Sequence, residues 1–288
     1  MNCASINDLF ERHQVFLIDA YGVLVTSSGP LPGARDFIER LKLEKREYFI
    51  LTNDASRLPE SSASFYASCG IDIPVERIIS AGMAIGDAFS KHNLFTPRAA
   101  VLGTEDSHEI VRRAGARLSP VTSSGEYDAV IIADDSGFDL LPSINDLLSS
   151  IYRQVTRTGQ APLMLLPNAD LLYPRGPDEF GFTSGSIGRL IELGLDRVLP
   201  DHRLRFKTLG KPELSLFSMA LKLARCTPHQ AVMLGDQLTT DVLGANRAGI
   251  PSALVGTGIT RLPLPLNLPQ ELTPTYVLPA ILSHASSL

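Results

Sequence analysis

The stretch VFLIDAYG sets Asp19 directly after the apolar residues Val15 to Ile18, with Gly22 allowing a close turn beneath it. A carboxylate in that position can attack phosphorus, provided something offsets its charge and that of the phosphate. A loop aspartate that caps a turn has the same local sequence, so this stretch decides nothing alone. LTND ends a second apolar run. There Thr52 offers a hydroxyl and main-chain amides to phosphoryl oxygens, and Asn53 can orient a substrate or its leaving group. The plainer reading makes Asp54 or Ser56 the cap of a following helix. LGKPE adds Lys211, a cation able to offset the repulsion between an anionic nucleophile and an anionic substrate. Most loop lysines are simply solvated, and Lys207 is close by. The position just before Pro212 sets Lys211 apart.

MLGDQLTTDV is the most specific of the four. Asp236 follows an apolar run and Gly235, and Asp241 comes five residues later at the start of a helix. Two carboxylates so placed can share one hard cation. Oxygen donors suit Mg²⁺, which also keeps waters and a substrate phosphate.

Strand ends must position these residues. VFLIDAYG, EYFILTND, AAVLGTED, DAVIIADD, PLMLLPNAD, AVMLGDQ and SALVGTG are all short apolar runs that stop at polar or glycine-rich corners. Their length and lack of strict alternation predict buried parallel strands. Helices are predicted between them: over 33–44 with Phe37, Ile38 and Leu41 on one face, and over 212–225 with Pro212 in the first turn and Leu214, Phe217 and Leu221 inward. TTDVLGANRAG closes on Gly249, a C-cap. The pattern is α/β and doubly wound, and such sheets bind ligands beyond the carboxyl ends of their strands. Asp19, Thr52 with Asn53, and Asp236 all lie at such ends, so one cleft can collect them.

The middle of the chain carries strands ending near Gly103, Ala133 and Leu166, with helices around 106–114 and 143–156. That is enough for a second α/β domain. The expected division is a discontinuous core, 1–80 and 183–288, interrupted by an inserted domain over 81–182. The proline-rich end is expected to pack along the core surface and finish in a short helix. Glu105–Asp106, Asp134–Asp135 and Arg112–Arg113 read as ordinary solvated surface.

Taken in order, Asp19, Thr52–Asn53, Lys211 and Asp236/Asp241 resemble the four motifs of the haloacid-dehalogenase-like (HAD) superfamily. The arrangement resembles the branch with an α/β cap between the second and third motifs, as in sugar and nucleotide phosphatases. LPNAD, GSIGRLIE, and GKP ahead of GDxxxTD extend the likeness over almost the whole chain. The resemblance implies a Rossmann-like parallel-sheet core with an inserted α/β cap. It implies that Asp19 is a nucleophile forming an aspartyl-phosphate, that Thr52 binds phosphate, and that Lys211 steadies the transferring group. It also implies that Asp19, the main-chain carbonyl of Tyr21 and Asp236 hold Mg²⁺, with Asp241 supporting them. Asn168 and Asp170 would lie at the cap–core junction, contacting substrate or fixing a turn, and Arg175 in the same loop is a candidate anion contact. A cap-mediated homodimer is a further implication.

Tyr21 departs from this pattern. Phosphatases of the superfamily usually carry a second aspartate there, which protonates the leaving alcohol and then activates water. A phenol with a reference pKa of ~10, against ~3.9 for Asp, is a poor base near neutrality. Losing general acid–base help costs ~10²–10⁴-fold. The expected function is therefore Mg²⁺-dependent hydrolysis of a small phosphometabolite, slowed or specialised by Tyr21. Two alternatives stand beside it. DAYG also resembles the first motif of the L-2-haloacid dehalogenases, which need neither metal nor a protonated leaving group; the acid pair and the α/β cap oppose that reading. A phosphometabolite-binding or regulatory protein with impaired turnover is the other.

Composition narrows the partners. A net charge of −5 over 288 residues gives no electrostatic reason to expect nucleic acid or an anionic membrane. Three scattered cysteines favour a reducing compartment, and the dispersed histidines suggest no zinc site. Without a basic, then apolar, start or any long apolar stretch, the expectation is a cytoplasmic protein.

Overall fold

The computed structural model describes residues 2–176 and 179–281. Its larger sheet has seven parallel strands in the order Asn2–Cys3, Tyr276–Leu278, Ser252–Val255, Ala231–Gly235, Val15–Ile18, Glu47–Thr52 and Ile78–Ser80. Val15–Ile18 is buried at every residue, which is why its sequence shows no alternation. Phe16 and Ile18 point to one face, where they pack with Phe37, Ile38 and Leu41 of helix Ala34–Leu43. Val15 and Leu17 point to the other, where Leu216, Phe217 and Ala220 of helix Leu214–Ala224 cover them. Each of these Val, Leu, Ile and Phe side chains, fully buried, contributes about 1.5–3 kcal/mol.

The chain leaves Val15–Ile18 toward Glu47–Thr52 on one side and later returns to Ala231–Gly235 on the other. The carboxyl ends of three neighbouring strands therefore open at a topological switch point, where α/β sheets bind ligands.

A second sheet of five parallel strands runs Lys207–Thr208, Leu163–Leu166, Ala129–Ile132, Arg98–Leu102 and Arg117–Leu118. Helices Glu105–Arg113, Leu140–Thr158 and Ser184–Val198 accompany it. This is the second α/β domain, the cap.

Several local expectations need revision. Helix Ser184–Val198 buries Ile187, Ile191 and Leu195 with Leu166 and Phe206 of the cap, and Lys207–Thr208 pairs with Leu163–Leu166. We therefore propose that the cap runs on through Thr208 rather than ending at 182. The second core helix begins at Leu214, beyond Pro212, whose peptide bond with Lys211 is cis. Of its expected inward residues Phe217 is buried and Leu221 packs partly against the core, but Leu214 is exposed, and Leu216 and Ala220 are buried instead. The proline-rich end does more than cover the surface, because Tyr276–Leu278 adds a strand to the core sheet. The short terminal helix expected after it falls on 282–288, outside the described residues.

Candidate active site

Asp19 follows the central strand, and its N–H donates to the Leu234 carbonyl at 2.8 Å, so the sheet's hydrogen bonding runs right up to it. Lys211 Nζ donates to Asp19 Oδ1 at 2.5 Å and to Asp241 Oδ1 at 2.7 Å. The lysine is 2% exposed, so these are buried ion pairs. Asn53 fixes its backbone from both sides: Lys211 N–H donates to Asn53 Oδ1 at 2.7 Å, and Asn53 Nδ2 donates to the Lys211 carbonyl at 3.1 Å. The LTND and LGKP stretches are thereby one unit, although 158 residues separate Asn53 from Lys211. The Thr52 hydroxyl, also buried, accepts from the Asp54 N–H at 3.1 Å.

Carboxylate oxygens of Asp19, Asp236 and Asp241 lie within 4.8 Å of one another. At an effective dielectric constant of about 20, two like charges about 4 Å apart repel by about 4 kcal/mol. One lysine offsets only part of this. Burial and the Asp241 charge lift the Asp19 carboxyl to about 7 against the pull of Lys211. Asp236 is pushed well above its usual range by burial and by Asp19 and Asp241. Burial would lower Lys211, but the Asp19 and Asp241 carboxylates override it and hold the ammonium charged.

The same cluster fits a divalent cation. Asp236 Oδ2 accepts from the Ile259 N–H at 2.6 Å, whereas its buried Oδ1 has no partner. Asp241 is committed differently, with Oδ1 on Lys211 and Oδ2 accepting from the Gln237 N–H at 3.1 Å. Both Asp241 oxygens are therefore engaged, whereas Asp236 Oδ1 is left open toward a cation. Glycines make this closeness possible: a Cβ on Gly22, which has φ +89°, would lie 2.5 Å from Asp236 Cγ.

A cavity of about 460 Å³ opens above Asp19. Tyr21, Thr52, Asn53, Asn168, Asp170 and Lys211 line it with Asp19, so seven of the residues singled out by sequence meet there. Asn168 holds a turn, its Oδ1 accepting from the Asp170 N–H at 2.9 Å and its Nδ2 donating to Thr183 Oγ1 at 3.2 Å. Burial raises the Asp170 carboxyl to about 6, partly countered by Lys211. Arg175 is not part of the cavity wall. Its side chain is exposed, and its carbonyl accepts from Ser27 Oγ at 2.6 Å, tying the cap hairpin to the core hairpin after Tyr21.

Sequence reasoning missed Arg57, Phe65 and Thr104, and it took Asp134 and Asp135 for solvated surface; all five line the cavity. Arg57 follows LTND by a few residues, and nothing local distinguishes it from a surface arginine. Thr104 Oγ1 donates to the Ser56 carbonyl at 2.5 Å, Ser107 Oγ to the Ala55 carbonyl at 2.8 Å, and the Leu58 N–H to Asp106 Oδ2 at 3.0 Å. The start of cap helix Glu105–Arg113 thus clamps the core loop that carries Arg57.

Comparison with known proteins agrees with this architecture. A haloacid dehalogenase-like hydrolase family model matches residues 16–117, and a HAD-hydrolase-like model matches residues 208–283. Human chronophin is 25% identical over 271 residues, covering 90% of this chain and 86% of that protein. The dihydroxyacetone phosphatase of Corynebacterium glutamicum is 26% identical over 251 residues, covering 85% and 82%. The crystal structure of a possible sugar phosphatase from Cytophaga hutchinsonii superposes with a TM-score of 0.83 at 28% identity, covering 99% of each chain.

Proposed function

The chain belongs to the haloacid-dehalogenase-like hydrolases, and on that premise we propose that it is a Mg²⁺-dependent phosphate-monoester hydrolase acting on a small phosphorylated metabolite. The observation that carries this reading is Lys211 Nζ bridging Asp19 and Asp241 beside the free oxygen of Asp236. A nucleophile, its fixed counter-charge and a cation site coincide at the carboxyl ends of two neighbouring strands. The phosphatases among the relatives support the same reading.

Asp19 attacks the phosphorus and carries the phosphoryl group as an aspartyl-phosphate. Lys211 offsets the charge that gathers on the phosphoryl oxygens in the transition state, and its Asn53 clamp holds it still. Thr52 and Asn53 bind phosphate oxygens, and Asn168 and Asp170 contact the substrate from the cap–core junction. Asp19, Asp236 and the Tyr21 carbonyl would hold Mg²⁺, with Asp241 supporting them. When bound, the ion supplies charge neutralisation and polarises the phosphoryl oxygens. Thr104, Asp134 and Asp135 wall the cavity from the cap side and limit the water that reaches Asp19.

The test is phosphate release from 4-nitrophenyl phosphate and a panel of alkyl phosphates, with Mg²⁺ and with chelator. The native chain should release phosphate only with the metal, and Asp19→Asn should lower the rate by on the order of 10⁴-fold or more. Halide release from a 2-haloacid in chelator would instead favour the dehalogenase. Stabilisation by a phosphometabolite without its consumption would favour the binding protein.

A further inference from the structure

The geometry points to Asp170 as the proton-transfer residue of this site, donating to the leaving oxygen and then accepting from the attacking water in place of Tyr21. This rests on the Asp19-centred hydrolysis proposed above. Tyr21 is badly placed for the task. Its oxygen accepts from Arg57 Nη1 at 3.0 Å, and its ring stacks on Phe65, so the side chain is drawn toward helix Pro59–Ser68. A phenol that burial raises further is not a base near neutrality.

Among the described residues, five carboxylates line the cavity: Asp19, Asp54, Asp134, Asp135 and Asp170. Asp19 is the nucleophile. Asp54 has both oxygens engaged within its own loop, Oδ1 accepting from the Ser56 N–H at 2.7 Å and Oδ2 from Arg57 Nη1 at 3.3 Å. Asp134 accepts from Ser136 Oγ at 2.5 Å, and the charge that reaches it and Asp135 from the core is that of Asp54. The turn that carries Asp170 is seated beside Lys211, because the Gly210 N–H donates to the Pro167 carbonyl at 3.0 Å, and Lys211 and Asp241 both act on the Asp170 carboxyl. Among the described residues no salt bridge engages the Asp170 carboxylate, and the neutral amide of Asn53 lines the same cavity. The Asp170 backbone is fixed by Asn168, and Gly185 lets helix Ser184–Val198 pass beneath it; a Cβ there would lie 2.3 Å from the Asp170 carbonyl oxygen.

Lys211, Asp241 and Asn53 act on this carboxyl from the core, and burial sets it near 6, close to the pH of use that general acid–base catalysis favours. In the first step, Asp19 bonds to phosphorus as the ester P–O bond breaks. The leaving oxygen takes the Asp170 proton, and the alcohol departs. In the second, water bonds to phosphorus and gives its proton to the Asp170 carboxylate. The P–O bond to Asp19 breaks, its electron pair returns to that carboxylate, and inorganic phosphate leaves.

Rapid-quench kinetics with 4-nitrophenyl phosphate and Mg²⁺ test this in the native chain, Asp170→Asn and Asp170→Glu. In Asp170→Asn a stoichiometric burst of nitrophenol should precede a steady rate ~10²–10⁴-fold below native. The fall in phosphoenzyme hydrolysis on acidification through about pH 6 should vanish in that variant. Asp170→Glu should recover part of the rate with that limb displaced. A native steady rate and native pH limb in Asp170→Asn would overturn the proposal while leaving the hydrolase reading intact, and so would an undisplaced limb in Asp170→Glu. A native chain that forms no phosphoenzyme overturns both.

Discussion

Arg57 Nη1 donates to Tyr21 Oη at 3.0 Å, and the same guanidinium lies over the Phe65 ring at 4.6 Å. Tyr21 and Phe65 are themselves stacked, with centroids 6.5 Å apart and planes 11° from parallel. An arginine only donates hydrogen bonds, so the phenol oxygen is held as an acceptor. The side chain that breaks the superfamily pattern is therefore part of an aromatic and cationic wall.

The first prediction follows from that wall. Tyr21→Phe keeps the ring on Phe65 and the main-chain carbonyl, and removes only the hydroxyl. Metal-dependent phosphate release should stay within about tenfold of native, well short of the ~10²–10⁴-fold expected for loss of an acid–base group. Steady-state rates on aryl and alkyl phosphates check this. A larger loss confined to alkyl phosphates would make the phenol itself the acid.

Lys211 offers a stability test. Lys211→Met leaves Asp19, Asp236 and Asp241 without their buried cation. Breaking a buried pair from one side costs about 3–5 kcal/mol. Urea unfolding of the metal-free protein at pH 7.5 should show that loss, and it should shrink at pH 4, below the raised values of Asp19 and Asp236. Equal losses at both pH values would mean that packing of the lysine stem, and not charge, is responsible.

Metal and pH should act on the same cluster. Asp19 and Asp170 have folded pKa values raised from 3.8 to about 7 and about 6. Between those values and 3.8 the folded state binds more protons than the unfolded one. The stability of the metal-free protein should therefore be highest below about pH 4 with respect to these groups, and decline as pH rises through 6 and 7. Mg²⁺ should reverse the decline, adding about 2.7 kcal/mol at 100 times its Kd. Thermal melts across pH with Mg²⁺ and with chelator read both effects; a metal response in Asp236→Asn as large as native would place the ion elsewhere.

Gly22 is the smallest lever on the site. Gly22→Ala places a Cβ 2.5 Å from Asp236 Cγ at a φ of +89°. It should cost more than about 1 kcal/mol of stability and abolish the Mg²⁺-induced rise in Tm. Gly115→Ala is the comparison: it shares a positive φ of +98° but has no atom within 4 Å of the added Cβ, so its metal response should be kept.

The sequence by itself determined the strands that carry Asp19, Thr52 and Asp236, because complete burial writes an unbroken apolar run wherever a parallel strand is covered on both faces. It also marked Lys211 and Asp241, whose residue types and spacing are informative before any fold is known. Tertiary structure decided the rest. Helix Ser184–Val198 reads as amphipathic whichever sheet it covers, and only the packing of Ile187 and Ile191 assigns it to the cap. Asp134 and Asp135 look solvated until the core loop 53–58 is clamped opposite them. Arg57 acquires meaning from Tyr21, and Asp170 from Lys211, across 36 and 41 residues of chain. Local pattern reports how far a residue is buried, whereas the order of strands in the sheet decides which charges meet.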